Sequence, residues 1–509
     1  MAASALLAAG ITSTTAQVAL GSENICTITS DGSDQTLLRS DIEELIANIN
    51  CDVLLVNGLG NAPLDLTVSG TALRIGAADV SGDTRRSFTI KSTSGLNVKP
   101  GPGDTGNLFD LEDNSFETIT IQGLTFRDAE NAAIDGLAFD GFGATEATLR
   151  IQNSRFINNG SNVSPVGAIQ TRSKVEIVDS IFSNNVGSAV RSLEDVSVSG
   201  SLFLENVSID LDIQFGGAIS SVRSVYSVNS TYLNNNAYGA GAIYSQFGNV
   251  ELVHNTFSGN ESILDGESVG AGNDVSMWGN IFVGSGDDEV FGDNSEVDLG
   301  YNLADSDVGT FTATTSRVGL AQIWNFGTAP TSAAVDRQTP VRTAPVIPLM
   351  ANSVAVNFVR AAFPGESFSD FLIGKTSIDQ LGKTRSGAFD AGAHERRTAT
   401  GGFVPVAVQT EPKTIMVSGF AANSAKLTRP MRAEIRKFLR ANPSLSNVVC
   451  RGFTSSPAAA KDRALGRNRG KVACDYIKTL RPEAKVTIRS GSHTNKPGSQ
   501  IRRVSITLR

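Results

Sequence analysis

Aromatic residues make up only 6% of this chain, and histidine occurs three times in 509 residues. The first scarcity, set beside 50 glycines and 40% apolar residues, fits many short strands and turns better than packed helices. The three histidines, His254, His394 and His493, lie far apart and match no metal-binding or catalytic-triad spacing. No P-loop or His-Glu-x-x-His occurs, so the common nucleotide and zinc-protease signatures are excluded, and the one Gly-x-Ser-x-Gly, Gly266 to Gly270, stands inside the repeat described below. After the N-terminus no apolar run reaches the length of a bilayer-spanning helix, so no transmembrane helix is expected.

Cysteine is also sparse. Four residues fall in two places, Cys26 with Cys51 and Cys450 with Cys474, and no Cys-x-x-Cys occurs, which argues against a zinc ribbon. Two local disulfides in an oxidising compartment are expected, with four buried thiols as the other reading. The first 20 residues look like the tail of a secretory signal. Small apolar residues run to a Thr-x-Ala pattern at Ala16, although a basic leading region is missing. Export is the expectation.

Net charge is −8, but the total hides a split. From Gly401 onward there are 21 Lys and Arg against 5 Asp and Glu; the preceding residues carry 22 against 46. Such asymmetry marks two domains with different partners.

One phrase recurs through the acidic part: "LRIQNSRFINN" at Leu149, "VEIVDSIFSNN" at Val175, "VSVSGSLFLEN" at Val196, "VYSVNSTYLNN" at Val225, "VELVHNTFSGN" at Val250 and "VSMWGNIFVGS" at Val275. Aligned on Phe126, Phe156, Phe182, Phe203, Tyr232, Phe257 and Phe282, the spacing is 21 to 30 residues. That period excludes the 33- to 34-residue helical repeats. Alternating Val-x-Ile or Val-x-Val reads as strand, and a second element, such as "GAI" at Gly167 or "GSAV" at Gly187, follows in several units. One turn of a coil per unit satisfies the pattern. Stacked at the strand spacing of about 4.8 Å, like residues form ladders and each coil is buried by its neighbours. Asn158, Asn159, Asn184, Asn185, Asn206, Asn234, Asn235 and Asn260 follow the aromatic. Asn suits left-handed backbone at bends and can hydrogen-bond from coil to coil. The functional alternative is a row of sugar-binding amides.

This repeat, over roughly residues 50–305, resembles the right-handed parallel β-helix family, the architecture of pectate lyases. The resemblance implies a mainly β fold and says little about activity. "RSDIEELIANIN" (39–50) is expected as an amphipathic lid over the first coil, capped by Ser40, with Ile42, Leu45 and Ile46 inward and a Cys26–Cys51 bridge pinning it. After Leu303 a Pro-richer region (306–395) ends in a pattern similar to the choice-of-anchor Q segment of bacterial surface β-helices. Its matching residues are Asp379, Gln380, Gly382, Asp390, Gly392, Ala393 and Glu395. The resemblance implies a cell-surface location. Residues 396–412 read as linker.

From 413 to 509 the pattern predicts a small α/β domain of order β-α-β-α-β-β, with Pro430 in the first turn of one helix. Gly452-Phe453-Thr454, Leu465…Arg469…Tyr476-Ile477 and Arg502-Arg503-Val504 resemble, in order, three motifs of the OmpA-like peptidoglycan-binding domain. The resemblance implies that Arg469 grips the carboxylate of a diaminopimelate zwitterion. The family's loop Asp is replaced by Ser455, beside Thr454, and Asp462 stands where the family usually has Asn. Other anionic wall polymers held by charge are the second reading.

Acidic candidates for a Ca²⁺ or glycan site are Asp210 and Asp212, at i, i+2 on one strand face, and the turn carrying Asp287, Asp288, Glu289 and Asp293. Ca²⁺ is the one cofactor they suggest; solvated turn carboxylates are the plainer reading. The expectation is a non-catalytic, exported surface protein. Its β-helix would contact a glycan or another surface and its last domain would hold the envelope, with no role for nucleic acid. A polysaccharide lyase or hydrolase acting on acidic glycans is the alternative.

Overall fold

The computed structural model describes residues 24–47, 51–75, 86–111, 116–137, 147–162, 164–208, 215–262, 267–284 and 289–305 and a scatter of residues between 311 and 393. It then describes 413–421, 424–441, 447–453, 460–481, 485–490 and 503–508. The chain divides into two compact units, Met1–Gly401 and Gly402–Arg509.

The first unit is a stack of coils. A typical coil contains Lys174–Val178, Ile181–Ser183 and Val190–Ser192, after which Val196–Ser199 starts the next. The strands join into a 19-stranded and a nine-stranded sheet with parallel pairing, a parallel β-solenoid arrangement. Equivalent positions lie in register: Val175, Val196, Val225, Val250 and Val275 form one column. Ile169, Val190, Ile219, Ile243, Val269 and Val290 form another. The aromatic of each phrase stacks on the next. From Phe126 to Phe282 the seven rings lie 4.7 to 5.1 Å apart and within 11° of parallel. Each is fully buried, worth roughly 2 kcal/mol from burial, with the stacking adding to it.

The adjacent Asn residues have separate jobs. The first position is left-handed: Asn158, Asn184, Glu205 and Asn234 have φ of 52 to 56°. The second points inward. The backbone N–H and the Nδ2 of Asn159 both donate to Asn185 Oδ1 at 3.0 Å. Asn185, Asn206 and Asn235 repeat this toward Asn206, Asn235 and Asn260. Each Nδ2 also donates to the carbonyl of the aromatic one coil back. These five ladder amides are completely buried, so no ligand reaches them, whereas the bend residues Asn158 and Asn234 are exposed and Asn184 is half-buried. A second ladder, Ser154, Ser180, Ser201, Ser230, Asn255, Asn280 and Asn302, serves the preceding bend in the same way.

At the N-terminal end, Ile25–Ser30 adds a parallel strand to Val53–Gly58, and Cys26 is bonded to Cys51 with Cα atoms 5.8 Å apart. The lid helix runs Gln35–Ala47 and buries Leu38, Ile42 and Ile46. It starts earlier than the sequence reading placed it. Asp34 Oδ1 accepts from Thr36 and Leu37 N–H and is the cap, while Ser40 lies inside the helix. Aspartate satisfies two orphan N–H groups there, which Ser40, one turn later, has no need to do.

The Pro-richer region lies along the flank of the coils as a strap. Leu349, Ala355, Val359, Phe368, Leu372 and Ala391 cover Val228, Val253, Trp278, Ile281, Val283 and Leu303. Ala344 and Ile347 cover Ile181, Leu202, Leu204 and Leu233. Matched motif residues form its clasp. Gln380 donates to Ser201 O and accepts from Thr231 Oγ1, Gly392 N–H donates to Gly279 O, and Ala393 N–H donates to Thr256 Oγ1. Gly382 and Glu395 lie outside the described residues.

The second unit has strands Lys413–Ser418, Asn447–Gly452, Lys485–Ser490 and Arg503–Leu508 and helices Arg429–Ala441 and Ala460–Leu480, in the order β-α-β-α-β-β. Arg503–Leu508 pairs antiparallel with the first two strands, and Asn447–Gly452 pairs parallel with Lys485–Ser490. Met431, Ile435, Leu439, Ala473 and Ile477 pack on Val417, Val448, Val504 and Ile506. A Cys450–Cys474 bond ties strand to helix at the centre of that core.

Candidate functional site

The acidic residues do not form one site. Asp210, Asp212, Asp287 and Asp288 lie outside the described residues. Glu289 is fully buried and accepts from Ser268 Oγ at 2.7 Å. Asp293 is exposed at a bend beside Tyr244. Among the described residues no three or more His, Cys, Asp or Glu side chains come close enough to hold a metal ion. The signal-like residues 1–20, the linker 396–412, His394 and His493 are also outside them.

His254 is a bend residue with left-handed backbone, φ 53°, packed edge-on against Trp278 with ring centroids 4.8 Å apart. Complete burial, helped by nearby Arg385, holds its pKa well below the ordinary histidine value. Asp179 occupies the equivalent bend three coils earlier, just before the second-ladder column, where other coils have Asn153 and Asn229. Burial raises the Asp179 pKa from 3.8 to about 6, against the opposing pull of Lys375 in the strap. The folded chain therefore keeps a proton there that the unfolded chain has lost between about pH 4 and 6, so stability from this group falls as pH rises through that window. Asp179→Asn, which matches the neighbouring coils, is expected to stabilise the solenoid by about 1 kcal/mol at pH 7.5 and by nothing measurable at pH 4. Thermal unfolding at the two pH values checks it. His254 acts with the opposite sign, since its lowered pKa removes stability as pH falls below its ordinary value.

In the second unit, Arg469 is 1% exposed. Its guanidinium donates to Ser424 O, Phe453 O and Ala421 O at 2.9, 2.7 and 3.3 Å and lies over the Phe420 ring. It thus ties the connection after Lys413–Ser418 to the residue that follows Asn447–Gly452. Gly452 lets the long helix cross there: a Cβ would stand 2.0 Å from Gly466 O. Thr454 and Ser455 lie outside the described residues, and Asp462 falls within Ala460–Leu480.

A hollow lies on the outside of the nine-stranded sheet, at its bend into the next strand. It has a volume of about 470 Å³ and is lined by Asp195, Val222, Arg223, Phe247, Asn249 and Asn273 among others. A smaller hollow of about 60 Å³ adjoins it across Val222 and is lined by Arg191, Phe215, Ser220, Tyr244 and Gln246. Phe215 and Tyr244 are tilted together with centroids 5.0 Å apart. Each leans over a glycine: a Cβ on Gly239 would meet the Phe215 side chain at 2.7 Å, and one on Gly270 would meet the Tyr244 ring at 3.0 Å. Phe247 is 72% exposed. Burial, and secondarily Asp293, push the Tyr244 hydroxyl pKa up, so it stays a neutral donor.

Sequence reasoning missed this surface, but a signal was present. Register gives four steps from Ser221 to Val225 and from Ala271 to Val275, but five from Ser245 to Val250. The extra residue falls in the bend that projects Phe247. No family model matches this chain, and no curated protein matches it.

Proposed function

We propose that this chain is an exported, envelope-associated binding protein. The solenoid, read as a right-handed β-helix of the pectate-lyase kind, presents a glycan-binding face. The basic second unit, read as OmpA-like, holds peptidoglycan or another anionic wall polymer. The observation that carries the reading is the pair of hollows joined across Val222. They combine exposed aromatic faces with amide, hydroxyl and charged groups on a rigid sheet, the surface chemistry that sugar recognition requires. The two disulfides fit an oxidising compartment. No described helix is long and apolar enough to cross a membrane, so attachment is assigned to the second unit.

That attachment has its own test. The full chain is expected to co-sediment with purified peptidoglycan and to be released by free diaminopimelate. Release by about 0.5 M salt alone identifies plain charge attraction to an anionic polymer instead. Failure to sediment with any wall fraction defeats the anchor. In parallel, a polysaccharide panel is scored for retention and for new reducing ends or unsaturated sugars. Cleavage products would replace the binding reading with lyase or hydrolase activity.

A further inference from the structure

We infer that the ligand of the outer hollows is a neutral oligosaccharide, whose pyranose rings stack on Phe247 and on the Phe215–Tyr244 pair. This rests on the proposal that the solenoid binds glycans, and it narrows the class. Three observations carry it. The first is the seating of the rings: two outward aromatics lie over glycines, at Gly239 and Gly270, where any larger residue would push them up. Flat rings beside polar groups suit the apolar face of a sugar. The second is Phe247, which an additional bend residue holds out at 72% exposure over a hollow of about 470 Å³. A large side chain this exposed contributes little to the fold.

The third observation is charge. Arg223 is paired with Glu194 at 2.8 Å, and Asp195 Oδ1 accepts from Ser224 N–H at 3.0 Å. The larger hollow therefore offers an ion pair, a carboxylate and amides. Asn273 donates to Asn249 Oδ1 at 2.5 Å, which orders those amides as a hydroxyl-binding rim. Around it, the chain before Gly401 carries 46 Asp and Glu against 22 Lys and Arg. A polyuronate approaching this surface meets repulsion from the whole unit, whereas an uncharged chain does not.

The test is affinity electrophoresis of the full chain through native gels containing a neutral polysaccharide (β-glucan, mannan or galactan in turn) or an anionic one (polygalacturonate or alginate). Wild type is expected to be retarded by at least one neutral polymer through Phe247 and Tyr244, whereas any retardation by an anionic one comes from the basic second unit and is the same in Phe247→Ala. Phe247→Ala is expected to weaken that retardation about tenfold, and Tyr244→Ala similarly. Phe247 is exposed, so the first variant keeps the fold, and an unchanged unfolding midpoint verifies it. Retardation that Phe247→Ala relieves with an anionic polymer only overturns the neutral assignment and leaves the glycan-binding proposal standing. Neutral retardation that survives both substitutions overturns the site. No retardation in any gel defeats the broader proposal as well.

Discussion

Asn206→Ala is expected to destabilise the solenoid by about 4 kcal/mol, among the largest effects of any single polar substitution in this chain. Asn206 Oδ1 accepts from both the N–H and the Nδ2 of Asn185, and its own Nδ2 donates to Phe182 O and Asn235 Oδ1. Alanine removes these partners at a position with no access to water, so two donors and a carbonyl are left buried. Asn184→Ala is the control. Asn184 supplies the left-handed bend, at φ 54°, and one part-buried hydrogen bond to Ser183 Oγ, for which alanine costs about 1 kcal/mol. Denaturant unfolding of the two variants separates the roles. Equal losses would show that the buried column is not what holds the coils in register. The chain itself supports the distinction: at the bend it uses Asn158, Asn184, Glu205, Asn234 and Gly259, but at the ladder Asn159, Asn185, Asn206, Asn235 and Asn260.

Arg385→Ala is expected to free the strap. Arg385 is 4% exposed and donates to Ile378 O, Asp390 O, Gly392 O and Asn229 Oδ1 at 2.9 to 3.2 Å. Its loss leaves buried carbonyls unsatisfied at a cost of about 3 kcal/mol, and the strap opens locally before the coils do. Non-specific protease should then cut between residues 344 and 393 roughly 100-fold faster, with increased dye binding to the uncovered Val228, Val253, Trp278 and Ile281. A cleavage rate equal to wild type would mean that the apolar contacts alone retain the strap.

The columns of Val, Phe and Ala-Ile were legible because repetition places them at matching sites in successive phrases. One bulky residue per 21 to 30 positions, always before the same bend, has few other geometries open to it. The two jobs of the Asn doublet were not legible, because neighbouring identical residues give no sign of which one turns inward. The strap was readable only as a composition change. Its partners are remote and occur once: Gln380 meets Ser201 across 179 positions, and Arg385 meets Asn229 across 156. The outer hollows beside Phe247 escaped notice for a related reason. Gly239 and Gly270 have no side chain to mark a site, and only the folded register shows that they lie beneath aromatic rings. The Arg469 motif was visible in sequence, but not the three carbonyls that hold its guanidinium.

Tandem repeats ordinarily gain or lose units by duplication, since each new unit only has to match its neighbours. The clasp restricts that freedom. It reaches Ser201 at one end and Gly279 at the other, so an added coil between them would separate the two attachment points by about 4.8 Å more than the strap spans. Insertion of a coil is therefore opposed between Ser201 and Gly279, the stretch that carries Phe247.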